Sequence, residues 1–386
     1  MDIIKINDNS NKLYYIGGVV RDKLLGVESF DVDITYEGNA IEYCSQFGEV
    51  IQENPDFGTV RVKINPHPNF SLFSKDEILP APKGRGELIV DFASTRSEIY
   101  PQKGHLPVVS KIGCSLKEDV MRRDFTVNAL AMRVSDCQIV DYVGGQEDLN
   151  KKVLRVLHDE SFIDDPTRII RGLKFRVRFG FDLEGNTRKL QEEYLKNINY
   201  DMSFKRVKKE LIETFNLNSQ KAFEMFVNEG IYKLVSPAEF ELPNVNIEEL
   251  IKNYPVDNIW LVYAGLLPDL SNIELTKTER KIIDDAKQIG ELKSDFEIYK
   301  AFDGLAVESV LLYGIMRDLN SAKRYLEVLR FIKISITGED LLTLGIKPSP
   351  KYQEVFDEVL KQKLQNPNMT KDDELRYCQK LKNVVK

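Results

Sequence analysis

The chain has 386 residues, enough for two to four compact units. Apolar residues make up 42% and charged residues 30%, so sizeable cores can be buried and a disordered chain is excluded. Lys and Arg number 54 against 61 Asp and Glu, and the net charge of −7 excludes a generally basic polyelectrolyte but not a local basic groove. The four cysteines, Cys44, Cys114, Cys137 and Cys378, lie far apart and form neither a CxxC pair nor a disulfide framework. Three histidines, His67, His105 and His158, are too few for a His-rich metal site. The start lacks a basic stretch followed by an apolar one, and no run of ~18 apolar residues is present. A soluble cytoplasmic protein with no membrane partner is expected; oligomeric state is not legible.

Taken in order, the first third reads as mixed α/β. Tyr14 to Ile16 is a short apolar run ending in Gly17-Gly18, and Val19 to Leu25 has helical spacing with Gly26 as its stop. Phe30 to Tyr36 alternates. So does Gly58 to Ile64, where Val60, Val62 and Ile64 share a face. Leu88 to Ala93 is another strand. Asn65 to Glu87 between them, with its prolines and Lys83-Gly-Arg-Gly86, reads as a long irregular insertion. From about Asn150 strand signals fade. Helices are expected over Asp165–Phe179, Thr187–Asn197, Phe204–Phe215, Ala222–Leu234, Ile247–Asn253, Thr276–Ile289, Ser294–Phe302 and Val307–Leu329. Two more flank a turn at Lys347-Pro-Ser-Pro350. The layout is an α/β head followed by a long helical part.

Three blocks carry chemistry. Asp31-Val-Asp33 falls in the alternating run, where alternate residues face the same way and place two carboxylates roughly 6–7 Å apart. Such a pair suits a hard cation such as Mg²⁺, and two ions can clamp an in-line phosphoryl displacement. Alone, D-x-D is also what a solvated edge strand carries. Ahead of it, Gly17-Gly18-Val-Val-Arg21-Asp22 sits at a strand-to-helix junction, where backbone N–H groups can approach phosphates and Arg21 can add a charged hydrogen bond. Asp91, in a later strand, can stand beside the pair; otherwise it is a strand-end partner of Arg96. The second block holds Arg122, Arg123 and Asp124 with Asn128 four residues on, groups able to hold a ribose and a phosphate. The third runs from Ser161 to Phe175, with Pro166 in the first turn of a helix. Asp165, Arg168, Arg171 and Lys174 recur there every three residues on one drifting stripe.

In this order the blocks GG-x-V-R-D…D-x-D, R-R-D-F-T-x-N-A and D-D-P-x-R-x-x-R resemble those of the class II tRNA nucleotidyltransferases, the CCA-adding enzyme and poly(A) polymerase family. Asp141 to Leu149 resembles the family's connecting motif, and Ile336 to Ile346 its tail motif. The resemblance implies an α+β protein: a polymerase-β-like nucleotidyltransferase head over 1–150, a helical neck over 151–216, a body over 217–325 and a tRNA-binding tail over 326–386. It implies Mg²⁺-dependent addition of C and A to the 3′ end of tRNA from CTP and ATP. Asp31 and Asp33 would bind metal, with Asp91 as third catalytic carboxylate. Gly17, Gly18 and Arg21 would hold the triphosphate. Arg123, Asp124 and Asn128 would hold the ribose. Asp165 and Arg168 would read the base, supported by Arg171 and Lys174. Asp164 stands where many members have Glu, and Lys174 where some have Arg, which loses the planar fork. The alternatives are a CC-adding or A-adding partial enzyme, a bacterial poly(A) polymerase and a non-catalytic RNA-binding relative. The Tyr100–Val109 loop favours competence to add A.

The chemistry of the Asp165/Arg168 pair follows from the bases. Cytosine and adenine each show an amino donor beside a ring acceptor, which a carboxylate and a guanidinium complement. Uracil and guanine put a carbonyl where the amino group stands, and a desolvated mismatch of this kind costs about 1–3 kcal/mol. The plain alternative is an i,i+3 salt bridge on a helix surface. Arg168 to Arg178 and Lys205 to Lys209 form a basic seam suited to an RNA backbone, although Arg206 and Glu210 are also placed to pair with each other.

Overall fold

The computed structural model describes residues 8, 10–28, 32–64, 88–346 and 351–384. Asp31, the Asn65–Glu87 insertion and the Lys347–Pro350 turn therefore lie outside the described residues. The chain divides into two compact units, Met1–Glu210 with Met225–Pro237, and Leu211–Glu224 with Ala238–Lys386.

The first unit opens with β1 (Leu13–Ile16), α1 (Gly18–Leu25), β2 (Ile34–Tyr36), α2 (Ala40–Cys44), β3 (Glu49–Asn54), β4 (Thr59–Ile64) and β5 (Leu88–Ser94). A hairpin of β6 (Arg96–Ile99) and β7 (Val108–Ile112), then α3 (Leu116–Met121), β8 (Ala131–Arg133) and β9 (Ile139–Val140), complete the head. Seven strands form one mixed sheet in the order β3-β4-β5-β2-β1-β8-β9. The β2–β5 pair is parallel and the other neighbours are antiparallel. The alternation read in β4 holds: Val60, Val62 and Ile64 are buried while Arg61 faces solvent. Tyr14 and Ile16 of β1 pack with Leu116 and Val120 of α3 and with Ala129 and Ala131. A capping box between Ser115 and Glu118 starts α3.

After the sheet the unit is mostly helical. It contains α4 (Gly145–Lys151), β10 (Val153–Leu154), α5 (Ser161–Asp164), α6 (Thr167–Phe179), β11 (Asp182–Leu183) and α7 (Gly185–Lys196). The short parallel β10–β11 pair corrects the wholly helical reading. Helix α6 begins behind Pro166 and stops at Gly180, whose φ of 68° is costly for any other residue. Its buried face carries Ile169, Ile170, Leu173 and Phe175.

The unit boundary falls within α8 (Phe204–Phe215) and α9 (Gln220–Asn228). The second unit continues with α10 (Ile247–Asn253), α11 (Ile259–Ala264), α12 (Lys277–Gln288), α13 (Asp295–Phe302), α14 (Val307–Met316), α15 (Leu319–Glu327), α16 (Gly338–Thr343), α17 (Lys351–Gln365) and α18 (Lys371–Val384). The single helix expected over Val307–Leu329 breaks at Arg317-Asp318, because the Asp318 carboxylate caps a new helix by accepting from the Asn320 N–H and the Ser321 hydroxyl. Helix α11 was not read: Trp260 to Ala264 are all buried, so no polar face marks a helical period. Aromatic rings fill this core. Phe302 lies 5.2 Å from Tyr313 and 5.4 Å from Tyr325 between ring centroids. No helix among the described residues is long and apolar enough to cross a membrane.

One buried ion pair anchors the C-terminal helices. Glu374 of α18 is fully buried; it meets the Lys363 Nζ of α17 at 2.8 Å and accepts the N–H groups of Ser335 and Ile336. Removing one member strands a buried charge, at a cost of about 3–5 kcal/mol. Glu374→Ala is therefore expected to lower stability by that amount in urea unfolding, and Glu374→Leu with Lys363→Met to recover a large part of it. Equal loss in single and double variants would show that the pair is not the anchor.

Candidate functional site

A cleft of about 490 Å³ opens in the first unit. Among its lining residues are Gly17, Gly18, Arg21, Asp33, Arg123, Asp124, Asn128, Asp165, Arg168 and Arg171, all singled out from sequence. Two of the expected site residues are placed otherwise, and a third is not described. Asp31 lies outside the described residues. Asp91 lines an adjoining cleft. Lys174 does not line the first cleft and is bound to the Glu210 carboxylate at 2.9 Å.

The floor is built where β1 runs into α1. Gly17 turns the chain with φ 74° and ψ −123°, and its N–H donates to the Leu130 carbonyl at 2.9 Å. The positive φ favours glycine here, and a Cβ at this position would stand 2.8 Å from Arg123 Nη1 and push that guanidinium aside. Arg21 is buried one turn into α1. Its Nε and Nη2 donate to Asp22 Oδ1 at 2.8 and 2.5 Å, and its Nη1 donates to Asn128 Oδ1. The rings of Phe179 and Phe175 lie 4.4 and 5.1 Å from its guanidinium carbon. Asn128 donates in turn to Asp124 Oδ1 at 3.0 Å, and Asp124 Oδ2 holds Arg171 at 2.8 Å. The run Asp22–Arg21–Asn128–Asp124–Arg171 thus ties α1 to α6 across the cleft floor.

A second set of charges forms one wall. Glu98 accepts from Arg96 at 2.8 Å and Arg122 at 3.0 Å. Asp119 accepts from Arg122 at 2.9 and 3.1 Å, Arg123 at 3.2 Å and the Arg96 N–H at 3.0 Å. Burial works to raise the Asp119 pKa, but Arg123, Arg122 and the backbone N–H outweigh it and hold the carboxyl below its ordinary value. Asp124 is likewise held low, since Arg171 and Asn128 overcome the effect of burial.

The third wall corrects the stripe expected on α6. Asp165 precedes the helix, in extended conformation, and accepts from the Thr167 N–H and hydroxyl at 3.2 and 2.6 Å and from Arg206 of α8. Arg168 donates to the Ser161 hydroxyl at 2.6 Å, the Arg122 carbonyl at 3.0 Å and the Tyr100 hydroxyl at 3.3 Å. Asp165 and Arg168 themselves stand 3.9 Å apart, too far for a hydrogen bond. Arg206 does not pair with Glu210 as its spacing allowed; Glu210 takes Lys174.

The Tyr100–Val109 segment ends in β7 at Val108 and Val109, and the rest is the hairpin loop. Its tip is fixed: the Gly104 N–H donates to the Asp164 carbonyl at 2.9 Å and the Gly104 carbonyl accepts from the Ser203 N–H at 3.0 Å. Tyr100, Glu98, Arg96 and Arg206 line the cleft although sequence reasoning did not select them for it. Arg206, within its basic cluster, and Tyr100, at the start of the loop read for A addition, left a readable signal; Glu98 and Arg96 left none for the cleft.

Asp33 also departs from expectation. It is exposed and stands one residue before β2, although its carbonyl accepts the Ile16 N–H at 3.1 Å. In the parallel β2–β5 register Ile34 faces Phe92, and one step back sets Asp33 beside Asp91 on the exposed face. Asp91 accepts two hydrogen bonds from Arg61 of β4, at 2.7 and 2.8 Å, so the alternative pairing with Arg96 does not form. Two neighbouring carboxylates on one face are oxygen donors of the kind a hard divalent cation takes. Among the described residues no group of three acidic, His or Cys side chains gathers as a metal site.

Residues 13–155 match the family described as the poly A polymerase head domain, so the sheet and its cleft are those of a nucleotidyltransferase head. The chain is 31% identical to an A-adding tRNA nucleotidyltransferase of Geobacter sulfurreducens, over 98% of this chain and 46% of that protein. It is 27% identical to another A-adding tRNA nucleotidyltransferase, of Halalkalibacterium halodurans, over 96% of this chain and 89% of that protein. The solved complex of a CCA-adding enzyme with CTP shares the fold, with a TM-score of 0.74 at 23% identity over 97% of this chain and 90% of the other. The head thus belongs to the poly A polymerase head family, and the chain as a whole is similar in sequence to A-adding tRNA nucleotidyltransferases and CCA-adding enzymes. It spans about half the length of the first two curated relatives it matches.

The depressed carboxylates make a pH prediction. Their stabilisation is complete above the ordinary Asp value of 3.8 and is lost as pH falls through their lower folded values. The unfolding midpoint is expected to drop between about pH 5 and pH 2. Asp119→Asn should lower stability at neutral pH and flatten that drop. A wild-type slope in the variant would show that this carboxylate contributes nothing to it.

Proposed function

We propose that this chain adds C and A nucleotides to the 3′ end of tRNA, taking CTP and ATP as substrates. The observation that carries the reading is convergence: residues from three separate sequence blocks, matching the family's motifs, line one cleft. The 3′-hydroxyl oxygen of the tRNA bonds to the α-phosphorus of the nucleotide, the bond from that phosphorus to the bridging oxygen breaks, and pyrophosphate leaves. The hydroxyl proton passes to solvent. Asp33, with Asp31, would hold Mg²⁺, and Asp91 stands beside Asp33 in the strand register. When bound, the ion supplies charge neutralisation on the phosphoryl oxygens and leaving group.

The chain's own groups do the positioning. The Gly17–Gly18 turn and Arg21 face the triphosphate; Arg123, Asp124 and Asn128 face the ribose. Arg171 supports the base pocket through Asp124, and Lys174 supports it from outside the cleft by fixing Glu210. Asp165 and Arg168 are each about 4% exposed; their hydrogen bonds go to other residues, and between them lies only a loose ion contact of 3.9 Å. That arrangement supports base reading over a helix salt bridge, because a carboxylate oxygen keeps spare lone pairs while its rotamer is locked. A basic seam along α6 and α8 gives tRNA a local track on an acidic chain that works in the cytoplasm.

A second reading is A addition alone, to tRNA already ending in CC. It is favoured by the first relatives, which are A-adding tRNA nucleotidyltransferases. Incubating tRNAs that end at the discriminator base, after one C and after two, with CTP or ATP singly, separates the readings. Extension of only the CC-ended tRNA, with one A, selects the second; no extension of any tRNA overturns both.

Two variants probe the roles. Asp33→Ala is expected to abolish addition while tRNA binding survives, and activity within about tenfold of wild type, ~1.4 kcal/mol of barrier, would remove Asp33 from the reaction. Asp165→Ala and Arg168→Ala should each weaken discrimination against UTP and GTP by roughly 10- to 150-fold, the worth of one charged hydrogen bond. Competition among all four nucleotides measures this. Selectivity as strict as wild type, with only a lower melting point, would make the pair structural.

A further inference from the structure

A second cleft, of about 440 Å³, adjoins the first and shares Asp33, Arg96, Arg122 and Arg123 with it. Its own walls are Gln52, Glu53 and Asn54 of β3, Arg61 of β4 and Asp91 of β5. Asp33 therefore stands between two openings of comparable size.

Nucleotide addition joins two substrates at one phosphorus, and the attacking oxygen must approach opposite the leaving group. The groups proposed to hold triphosphate, ribose and base all lie in the first cleft. The acceptor's 3′-hydroxyl must reach the same carboxylates from another side, and the second cleft opens there.

Its chemistry suits a sugar–phosphate end. Arg61 is a half-exposed guanidinium, able to take a phosphate in a fork. Gln52, opposite Arg61 in the ladder, and Asn54 two residues on along the same face offer amides to a ribose hydroxyl or a phosphate oxygen. These are exposed side chains on an open strand, with no buried pair resembling Asp165 and Arg168 among them. A site of this kind grips backbone without reading a base. It would serve an acceptor whose last nucleotide changes with each addition.

Arg61 carries the second half of the inference. It now makes two hydrogen bonds to Asp91, in an ion pair that is about half exposed on both sides. Such pairs are weakly held, so a phosphate can displace the carboxylate at little cost. We propose that the second cleft seats the 3′-terminal sugar–phosphate of the acceptor RNA, with Arg61 exchanging Asp91 for its phosphate and releasing the Asp91 carboxylate beside Asp33. This rests on the nucleotide-addition reading.

Two measurements test it. A tRNA with a photoreactive 4-thiouridine at its 3′ terminus, irradiated with the full-length protein without nucleotide, is expected to label the β3–β4 segment. Labelling confined to residues 161–171, or none on the head, overturns the proposal whether or not the protein is active. In steady-state addition, Arg61→Gln should raise the KM for tRNA about tenfold, leave the KM for CTP or ATP unchanged, and reduce the salt slope of tRNA binding by about one contact. Arg61→Lys should restore part of the loss. An active wild type whose Arg61→Gln variant keeps the tRNA KM overturns the acceptor role alone; an inactive wild type overturns the addition reading and leaves the crosslink to decide the site.

Discussion

The run of hydrogen bonds from Asp22 through Arg21 and Asn128 to Asp124, closed by the Asp124–Arg171 ion pair, is what holds the cleft in shape. It joins the first helix of the head, the turn before β8 and the helix that follows the sheet, three segments more than 40 residues apart in sequence. Each link is buried or half-buried, and each charge has an opposite or dipolar partner. Buried ion pairs add little net stability over an apolar packing of equal volume. What this run supplies is geometry: with every rotamer fixed at both ends, the walls cannot drift independently.

The same logic explains how an acidic protein can line a cleft with so many arginines. Arg21, Arg96, Arg122, Arg123, Arg171 and Arg206 all face it, and each is held by a carboxylate. Unscreened, so many guanidinium groups in one cavity would repel one another and open it. Interleaved Asp and Glu lower that self-repulsion and leave the outward edges of the guanidinium groups as donors. The price is paid in acid, where the carboxylates are neutralised and the arginines are not.

Much of this was readable in the sequence, and the failures share a cause. The β4 alternation, the helix at Phe204–Phe215 and the stop at Gly180 follow from local pattern and backbone chemistry. The three motif blocks located the cleft because each packs its functional residues within a few positions. Strand β3 escaped notice because its residues are mostly exposed and polar, with no alternating apolar face, and α11 because it is buried all round. The ion pairs offered as plain alternatives did not form. Asp91 chose Arg61 over Arg96, and Arg206 chose Asp165 over Glu210. Both choices are set by strand register and helix placement, which join residues 30 and 41 positions apart and leave no periodic trace.

Strand β3 has one more consequence. Among the described residues it is one of the two outer strands of the sheet, and an outer strand presents unpaired backbone groups to any chain that drifts near. Its side chains include Glu49 and Glu53, and its register slips between Val50 and Gln52 in a bulge. Charge and an uneven ladder are the means by which a sheet refuses an added strand. The head can thus keep a polar margin open to water without becoming a template for aggregation, and a substitution that straightened the bulge or neutralised those two glutamates would convert an open rim into a sticky one.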